Sequence, residues 1–482
     1  MRRISPSWQR RREENMEDRP FTPNDILDFS EGFRLTKGTP SKDDCYDSRI
    51  TGVHCDSREV LPGSFFFALP GEHTDGHRYI SEAFLRGALG AVAQVSNLSR
   101  DPSWFLQLPE AWKRRMIFVE DTTAALQASA RAYAHQFKDI TKIGITGSCG
   151  KTTTKELLHA IISKEYPTVK NPGNRNSVVG LPMSLFSIQR HHRYGIFEMG
   201  ISTPGEMDVL TRVYRPHIGM VTNIGSAHAG TLGSLADTAR EKGRIFSLGA
   251  LRGYMHEDIL WGRELSHHAQ AAFRFFGLRH TQGIKQISSR GLSGWVITYR
   301  GKRISFPLIG YHNLVNACGA ITLSEDLGIT PSSIAAGLES AAPLAGRGRV
   351  IPGSVTVIED YYNANADSME SMLRYVNSVK WRRGRVVLVL GAMKELGHES
   401  PLYHRAVGHM INRAKPSGVF LYGDEMEETR RVLDLPSVIH TDDIEQLRRQ
   451  VSEFVRPGDL VLIKGSRAME MERLVPSLCR AV

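Results

Sequence analysis

The chain of 482 residues is 41% hydrophobic and 23% charged, and its formal net charge at pH 7 is +10. This length predicts about three domains rather than one core, and no apolar run approaches the roughly 20 residues that a membrane-spanning helix requires. Because lysine and arginine are spread along the chain, an anionic small-molecule substrate explains the positive charge at least as well as nucleic-acid binding does.

The cysteines indicate the redox compartment. They are scattered and odd in number, and they lack the paired spacing of a metal site. This pattern favours reduced thiols in a cytoplasmic protein. The positions are Cys45, Cys55, Cys149, Cys318 and Cys479.

Residues 1–20 differ in composition from the rest of the chain. They are rich in arginine and contain no apolar segment, which excludes a secretory signal. Acidic residues in the second half of this stretch argue against a transit peptide, so we expect a disordered basic tail. Met16 is a candidate for the true start codon.

Residues 21–137 read as a mixed α/β region. An apolar strand is predicted at Phe65–Leu69 after the turn Leu61–Ser64. The stretch Asp56–Arg58 precedes it, and Asp75 is placed to cap a helix that follows. Asp121 caps a further helix that leads to the next region. Turn and capping chemistry explains these polar residues about as well as ligand binding does.

The stretch Thr141–Glu156 has the pattern of a phosphate-binding loop. Apolar residues predict a buried strand before it and a helix after it. Gly147 and Gly150 let the backbone turn its amides towards a phosphate, and Lys151 would reach the β- and γ-phosphates. The Thr152 hydroxyl would then bind Mg²⁺. The alternative is a glycine turn before a helix with an exposed lysine.

The region 138–344 alternates strands with helices, which predicts a parallel sheet with ligands at the carboxyl ends of its strands. Glu198 closes one apolar strand and is placed as a magnesium ligand, although a capping role is the alternative. Asn223–His228 follows another strand, where a lone histidine would be an ordinary loop residue. Further along, Trp295–Tyr299 and Arg303–Phe306 predict a hairpin.

Lys242 falls within an apolar helix face. Ser234 is predicted to cap this helix, with Asp237 completing a capping box. At about 100° per residue, Lys242 shares its face with Leu235, Ala239 and Phe246. Arg240, Glu241 and Arg244 point elsewhere. A buried ammonium would be costly, so the alternative is a stem that packs while the charged end reaches water.

The region 345–482 reads as a second, Rossmann-like α/β unit. Four apolar strands alternate with helices, and polar motifs again follow the strands. The predicted strands are Val355–Ile358, Val386–Leu390, Val419–Tyr422 and Leu460–Ile463.

With these motifs laid out, the chain resembles the Mur ligase family over almost its whole length. Shared across the family are the loop Thr-Gly-Ser-x-Gly-Lys-Thr-Thr, Glu198, Gly-Ser-Ala-His228, Lys242-Gly-Arg-Ile-Phe and Gly-x-His-Asn313. More specific are the motifs that begin at Asp360, Glu395 and Lys464. The chain departs from the family pattern at Ser177, Ala366 and Ala392, and the last change removes a carboxylate near the expected dipeptide site.

The resemblance implies three domains and an ATP-dependent, ADP-forming peptide ligase of cytoplasmic peptidoglycan precursor synthesis. Residues 21–137 would bind UDP-N-acetylmuramoyl-tripeptide, 138–344 would bind ATP, and 345–482 would bind D-alanyl-D-alanine and close over the nucleotide. The peptide carboxylate would pass through an acyl phosphate that the dipeptide amine attacks. Joining two anions requires cationic groups, which two Mg²⁺ ions and a lysine supply. We expect a monomer that binds no nucleic acid.

The resemblance also implies site residues. Lys151, His228 and Lys242 would be catalytic. Thr152 and Glu198 would hold one Mg²⁺, and His228 with a carbamylated Lys242 the second. The nucleotide would contact Thr146, Gly147, Ser148, Cys149, Gly150, Lys151, Thr152, Thr153, Asn313, Arg347 and Asp360. The substrates would contact Ser57, Arg58, Asp75, His77, Asn174, Asn176, Tyr362, Asn363, Asn365, Lys464 and Ser466.

Other readings share part of this pattern. A sister ligase that adds the third peptide residue and a folylpolyglutamate synthase would have the same fold and ATP site, but the C-terminal motifs disfavour both. A P-loop switch protein that binds nucleic acid would not require His228 or Lys242. A non-catalytic scaffold would not need the magnesium and phosphate residues. The sequence does not distinguish diaminopimelate from lysine as the third peptide residue.

Overall fold

The computed structural model describes residues 20–32, 48–71, 74–227, 229–266 and 272–479. The predicted basic tail and His228 lie outside these residues, apart from Pro20. By internal packing the chain forms two units. The first contains the described residues up to Ile143, Pro167–Met199 and Asp208–Pro216, and the second contains Gly144–Tyr166, Gly200–Met207 and the described residues from His217 onwards.

The strands account for most of the buried apolar segments. In chain order they are β1 (Val53–His54), β2 (Phe65–Phe67), β3 (Gly90–Gln94), β4 (Met116–Val119), β5 (Thr141–Thr146), β6 (Thr168–Lys170), β7 (Tyr194–Glu198), β8 (Ile218–Val221), β9 (Arg252–His256), β10 (Ala272–Phe276), β11 (Ile284–Ser289), β12 (Trp295–Tyr299), β13 (Lys302–Phe306), β14 (Arg349–Ile351), β15 (Thr356–Asp360), β16 (Val386–Gly391), β17 (Gly418–Tyr422), β18 (Val438–Thr441) and β19 (Leu460–Lys464).

Helices connect most of these strands. They are α1 (Pro23–Phe29), α2 (Ile80–Leu85), α3 (Val95–Arg100), α4 (Ser103–Leu106), α5 (Glu110–Lys113), α6 (Thr122–His135), α7 (Lys151–Ile162), α8 (Gly180–Leu185), α9 (Glu206–Tyr214), α10 (Ala229–Leu232), α11 (Leu235–Gly243), α12 (Gly262–Ser266), α13 (Tyr311–Asp326), α14 (Pro331–Glu339), α15 (Ala366–Ser378), α16 (Ser400–Ala414), α17 (Glu427–Arg430), α18 (Ile444–Phe454) and α19 (Val475–Cys479). Short 3-10 helices lie at Ser57–Glu59, Gly76–Tyr79, Arg244–Phe246, Gly291–Ser293, Gly397–Glu399, Asp424–Met426, Arg467–Met469 and Met471–Leu474.

The first sheet is four-stranded and parallel, in the order β1-β2-β3-β4. Successive side chains of a strand point to opposite faces. Phe65 and Phe67 therefore pack into one apolar cluster with Ile26 and Leu126. Phe66 packs into a second cluster with Phe84 on the other face. Both faces of the sheet are therefore covered by apolar clusters. For this reason the strand sequence is a continuous apolar run, as is typical of parallel sheets.

The central strands are also parallel. Strand β5 crosses the division between the two units. In the second unit β8 pairs with β9 and β9 with β10, and in the first unit β6 pairs with β7, all in parallel register. The predicted hairpin is confirmed as β12 and β13, and β11 extends it to a three-stranded antiparallel sheet.

The last sheet has the order β14-β15-β19-β16-β17-β18, and only β14 is antiparallel to its neighbour. Its four central strands are those predicted from the sequence. The edge strands β14 and β18 were not predicted, because their side chains are largely half-buried or exposed and give no apolar run. The predicted α/β fold with parallel sheets and a Rossmann-like C-terminal region is confirmed. Among the described residues, no helix is long and apolar enough to span a membrane.

Candidate active site

The phosphate-binding loop lies between β5 and α7, and its two glycines are required by space as well as conformation. Gly147 and Gly150 have φ angles of 145° and 80°. A Cβ at Gly147 would lie 2.0 Å from Thr222 Oγ1, and one at Gly150 would lie 2.5 Å from Asn316 Oδ1. A larger residue would therefore displace the loop from both supports.

The polar groups of this loop fit a polyphosphate. The loop opens at the N-terminus of α7, where backbone amides and the helix dipole favour an anion. Lys151 Nζ donates to Gly147 O at 2.8 Å, which folds the ammonium group over the loop. Thr146 Oγ1 is buried and has no hydrogen-bond partner among the described residues. The side chain of Thr152 is buried at the first turn of the helix.

The segment after β8 holds the phosphate loop from one side. Asn223 Oδ1 accepts from Cys149 N at 2.7 Å. Ser148 Oγ donates to Gly225 O at 3.0 Å and accepts from Gly225 N at 2.9 Å. This segment leads directly to position 228, so the phosphate loop and the approach to the predicted histidine are fixed to each other. Sequence reasoning did not assign Asn223 a role, because a lone asparagine after a strand is a common turn residue.

Lys242 is buried on the apolar face of α11, so the alternative in which its charged end reaches water is wrong. Its residue is 1% exposed, and burial, with a smaller contribution from the positive charge of Lys151, lowers the pKa of its ammonium group to about 7. The predicted capping box of α11 is confirmed at Ser234. Glu241 does point elsewhere but is also buried, where it accepts from Gly205 N at 2.8 Å. The helix is thus packed on more than one side.

Asn313, the predicted adenine-side residue, supports the same loop indirectly. Its Nδ2 donates to Ile309 O at 2.8 Å, and its Oδ1 accepts from Asn316 Nδ2 at 3.3 Å. Asn316 in turn packs against Gly150. The signal for Asn316 was its spacing, because residues three apart share a helix face.

In the C-terminal sheet, β15 and β19 place opposite charges side by side. Asp360 pairs with Lys464 in the strand register, and Lys464 Nζ donates to Asp360 Oδ2 at 2.6 Å. The Lys464 side chain is 1% exposed, so this ion pair is shielded on the lysine side. Nearby, the Arg347 guanidinium lies 3.7 Å from the ring centroid of Tyr362, a cation–π contact.

The turn Asn363–Asp367 meets the phosphate loop. Asn365 caps α15 and donates from Nδ2 to Cys149 Sγ at 3.1 Å. Asp367 accepts from Ser226 N at 2.7 Å and from Ser226 Oγ at 2.9 Å. Sequence reasoning missed Asp367, since an acidic residue in the first turn of a helix is typical of favourable dipole placement alone.

Ser466 joins three loops at the carboxyl ends of β15, β16 and β19. Its Oγ donates to Ala364 O at 3.3 Å and accepts from Lys394 N at 2.9 Å. At the end of the β16 loop, Gly230 N donates to Glu395 O at 3.1 Å. The hydroxyl group of Ser466 therefore links the loop that carries Asn363 and Asn365 to the loop that follows β16.

In the first unit, the predicted UDP-side residues are engaged with neighbouring side chains. Ser57 Oγ donates to Glu82 Oε2 at 2.8 Å. Hydrogen bonds from Arg58, chiefly from its guanidinium, lower the pKa of Asp56 to about 2. His77 is 2% exposed, with Nδ1 at 2.5 Å from Asp75 and Nε2 accepting from Gln94 N at 2.8 Å. The ring of His77 therefore supports the Asp75 turn.

Also in the first unit, Asn176 contacts the predicted magnesium ligand Glu198. Asn176 Nδ2 donates to Glu198 Oε1 at 2.6 Å, and Asn171 Oδ1 accepts from Glu198 N at 2.9 Å. The side chain of Glu198 is buried, whereas Asn174 is exposed. Sequence reasoning placed Asn176 near the phosphates or the muramoyl substrate and did not foresee this contact.

The described residues contain no group of three His, Cys, Asp or Glu side chains that could hold a metal ion. Hydroxyl and carboxylate oxygens, the groups offered by the predicted ligands Thr152 and Glu198, are hard ligands suited to Mg²⁺.

Comparisons with known proteins match successive segments of the chain to one family. Three family models match, namely the Mur ligase family catalytic domain at residues 49–134, the Mur ligase middle domain at 145–324 and the Mur ligase glutamate ligase domain at 346–467. A UDP-N-acetylmuramoyl-tripeptide–D-alanyl-D-alanine ligase from Treponema pallidum is 34% identical over 472 residues, covering 94% of this chain and 99% of the relative. One from Bacillus subtilis is 32% identical over 457 residues, covering 92% and 96%.

Solved structures are similar over the same extent. MurF from Acinetobacter baumannii has a TM-score of 0.82 at 26% identity, covering 95% of this chain and 99% of the other. MurF ligase from Thermotoga maritima in complex with ADP has a TM-score of 0.73 at 26% identity, covering 89% and 97%. The chain therefore belongs to the Mur ligase family, in the group of UDP-N-acetylmuramoyl-tripeptide–D-alanyl-D-alanine ligases.

Proposed function

We infer that this chain is an ATP-dependent ligase that joins D-alanyl-D-alanine to UDP-N-acetylmuramoyl-tripeptide and forms ADP and phosphate. The product is the amide-linked pentapeptide precursor of peptidoglycan. The observation that carries this inference is the contact of the turn Asn363–Asp367 with the phosphate loop and with Ser226. It joins the loop that fits a polyphosphate to the loops around Ser466.

The reaction needs a carboxylate to approach a triphosphate. Lys151 would neutralise the β- and γ-phosphates, and the amides at the start of α7 would hold them. Transfer of the γ-phosphoryl group to the peptide carboxylate gives an acyl phosphate. The amine of D-alanyl-D-alanine attacks its carbonyl carbon, and the tetrahedral intermediate expels phosphate. Closure of the C-terminal loops excludes water that would hydrolyse the acyl phosphate.

The remaining nucleotide contacts follow the family motifs. Thr146, Gly147, Ser148, Cys149, Gly150, Thr152 and Thr153 would surround the phosphates, and Asn313, Arg347 and Asp360 would contact the rest of the nucleotide. Thr152 and Glu198 would be ligands of one Mg²⁺ ion, and His228 and Lys242 ligands of a second. When bound, these ions offset the negative charge that develops on the phosphoryl oxygens.

We propose that Lys242 is carbamylated. Its buried amine has a pKa near neutrality, so a large fraction is unprotonated, which is the form that adds CO₂. Carbamylation replaces a positive charge by a negative one and supplies oxygen ligands suited to Mg²⁺. It also removes the cost of keeping a buried ammonium group next to Lys151.

The substrate contacts divide between the proposed domains 21–137, 138–344 and 345–482. Ser57, Arg58, Asp75 and His77 would form the UDP side, with Asn174 and Asn176 towards the muramoyl peptide. The dipeptide would be held by Tyr362, Asn363, Asn365, Lys464 and Ser466. We propose that the enzyme acts as a monomer in the cytoplasm, where its nucleotide substrates are available.

The deciding experiment supplies ATP, Mg²⁺, UDP-N-acetylmuramoyl-tripeptide and candidate dipeptides, and measures phosphate release and product mass. We expect a product whose mass equals that of both substrates less one water. Substrates with lysine or diaminopimelate at the third position would show which one is preferred. Vigorous ATP hydrolysis without either substrate would contradict the proposal.

A further inference from the structure

His404 lies inside the C-terminal unit, next to the loop that follows β16. It belongs to the second turn of α16, is 0% exposed and is not one of the candidate site residues. A fully buried histidine must satisfy both ring nitrogens within the protein. The hydrogen bonds of its ring, to Ser400 and to the backbone amide of Met393, therefore show which segments it connects.

The partners of His404 fix its tautomer. Nδ1 lies 2.8 Å from Ser400 O and 3.2 Å from Ser400 Oγ. The nearer of the two is a carbonyl oxygen, which can only accept, so Nδ1 carries the proton. Nε2 is then an acceptor, and it receives the backbone N–H of Met393 at 3.1 Å. Burial lowers the pKa of the imidazole, which keeps it in this neutral form.

Met393 belongs to the segment Gly391–Lys394, which ends at the proposed dipeptide site. The next amide, Lys394 N, donates to Ser466 Oγ at 2.9 Å, and Ser466 N donates to Ala392 O at 3.2 Å. His404 and Ser466 thus hold two successive amides of one loop from different elements. The loop has no regular secondary structure of its own to fix these amides.

We propose that His404 is a positioning residue for the amine substrate: through Met393 it sets the loop that, with Ser466, shapes the D-alanyl-D-alanine site. The proposal rests on the proposed function. The hydrogen bonds of His404 go to Met393, Ser400 and Thr429, all in the C-terminal region 345–482, so its effect should appear in the KM for the dipeptide and leave the KM for ATP unchanged.

Two substitutions of His404 separate the contact with Ser400 from the hydrogen bond to Met393. In His404→Gln, Oε1 can replace Nε2 and accept from Met393 N, whereas the bond to Ser400 is lost. In His404→Asn, Nδ2 can replace Nδ1 and donate to Ser400 O, whereas the bond to Met393 is lost. Thr429→Val is a matched control, because Thr429 Oγ1 donates to the backbone oxygen of His404 at 2.9 Å and makes no bond to Met393.

The test measures kcat and the KM of each substrate, together with the thermal midpoint. We expect the KM for D-alanyl-D-alanine to rise about tenfold or more in His404→Asn, since a buried amide is left unpaired. It should stay within about threefold of wild type in His404→Gln and in Thr429→Val. A merely structural role would lower the thermal midpoint in both His404 variants and leave their dipeptide KM values alike, which would overturn the proposal.

If His404→Asn does not fold, the glutamine variant decides alone. An unchanged dipeptide KM in it supports the proposal, and a tenfold rise overturns it, because the Met393 bond is retained. Failure of the proposed function would look different. In that case the wild-type enzyme itself would show no phosphate release that depends on D-alanyl-D-alanine.

Discussion

The carboxylate of Asp367 accepts two hydrogen bonds from Ser226, one from the backbone nitrogen at 2.7 Å and one from the hydroxyl group at 2.9 Å. The two residues are 141 positions apart in sequence. A carboxylate that accepts two bonds makes a stronger contact than a neutral pair would. This pair connects the start of α15 to the segment that leads from β8 towards position 228.

Removing this contact should slow turnover. In Asp367→Ala we expect kcat to fall at least about tenfold, because hydrogen bonds to charged groups contribute about 1.5 to 3 kcal/mol each. The KM for UDP-N-acetylmuramoyl-tripeptide should change little. Asp367→Asn keeps one acceptor oxygen and should lie between wild type and the alanine variant. Glu370→Ala, on the same helix, is the control, and wild-type kcat in Asp367→Ala would refute the role of the pair.

Lys151→Ala should abolish turnover, because this residue supplies the positive charge folded over the phosphate loop. The measurement is phosphate release in the presence of all substrates. Lys164→Ala removes an exposed lysine just after the same helix and should leave the rate near that of wild type. Turnover of Lys151→Ala close to that of the control would show that the loop does not bind the transferred phosphate.

Lys242→Arg should be nearly inactive although it keeps the positive charge, because a guanidinium group neither forms the carbamate nor binds a metal ion. Lys242→Ala should be similarly poor but partly rescued by formate or acetate, which can fill the gap with a carboxylate. The readouts are initial rates with and without the small acid, and the intact mass of the wild-type protein in bicarbonate. Wild-type turnover in Lys242→Arg would reduce Lys242 to a structural cation.

His135 should make stability depend on pH. Burial, with nearby Lys142, Arg215, Arg131 and Lys138, lowers the pKa of His135 from 6.5 to about 3. The unfolded chain therefore binds a proton that the folded chain does not, and stability falls as the pH drops below 6.5 towards 3.

The measurement compares unfolding of wild type and His135→Gln at about pH 7.5 and about pH 5. The wild type should lose more stability than the variant over this range, with the difference on the order of 1 to 2 kcal/mol. Equal losses in both proteins would show that His135 protonates as readily when folded as when unfolded.

The sequence predicted the backbone better than the side-chain pairs. Phe65–Phe67, Val386–Gly391 and Leu460–Lys464 are buried strands, and a buried strand shows itself as an apolar run. The phosphate loop follows from local spacing as well. For Lys242, spacing indicates an apolar helix face, but it does not decide whether the charged end is buried or reaches water. The strands β14 and β18 were not predicted, because the largely half-buried residues of these edge strands form no apolar run.

The contacts of Asp367 with Ser226 and of Asn176 with Glu198 could not be predicted in the same way. Each partner has an ordinary local explanation as a cap or turn residue, and only the fold brings the two together. The ring of His77 illustrates the converse case. Its motif is explained about equally well by turn chemistry and by substrate binding, and in the structure its nitrogens bond to Asp75 and Gln94. The role of His77 towards the substrate stays a prediction. The proposed domain boundaries and the assigned site residues stay predictions.

The position of Cys149 makes it a natural probe of the contact between the turn Asn363–Asp367 and the phosphate loop. Cys149 is half-buried, its sulfur contacts Asn365, and burial raises the pKa of the thiol, so alkylation should be slow while the turn Asn363–Asp367 lies against the phosphate loop. The rate at which a reagent such as iodoacetamide labels Cys149 would then report how often this turn separates from the phosphate loop. A ligand that holds them together would slow this labelling without any engineered probe.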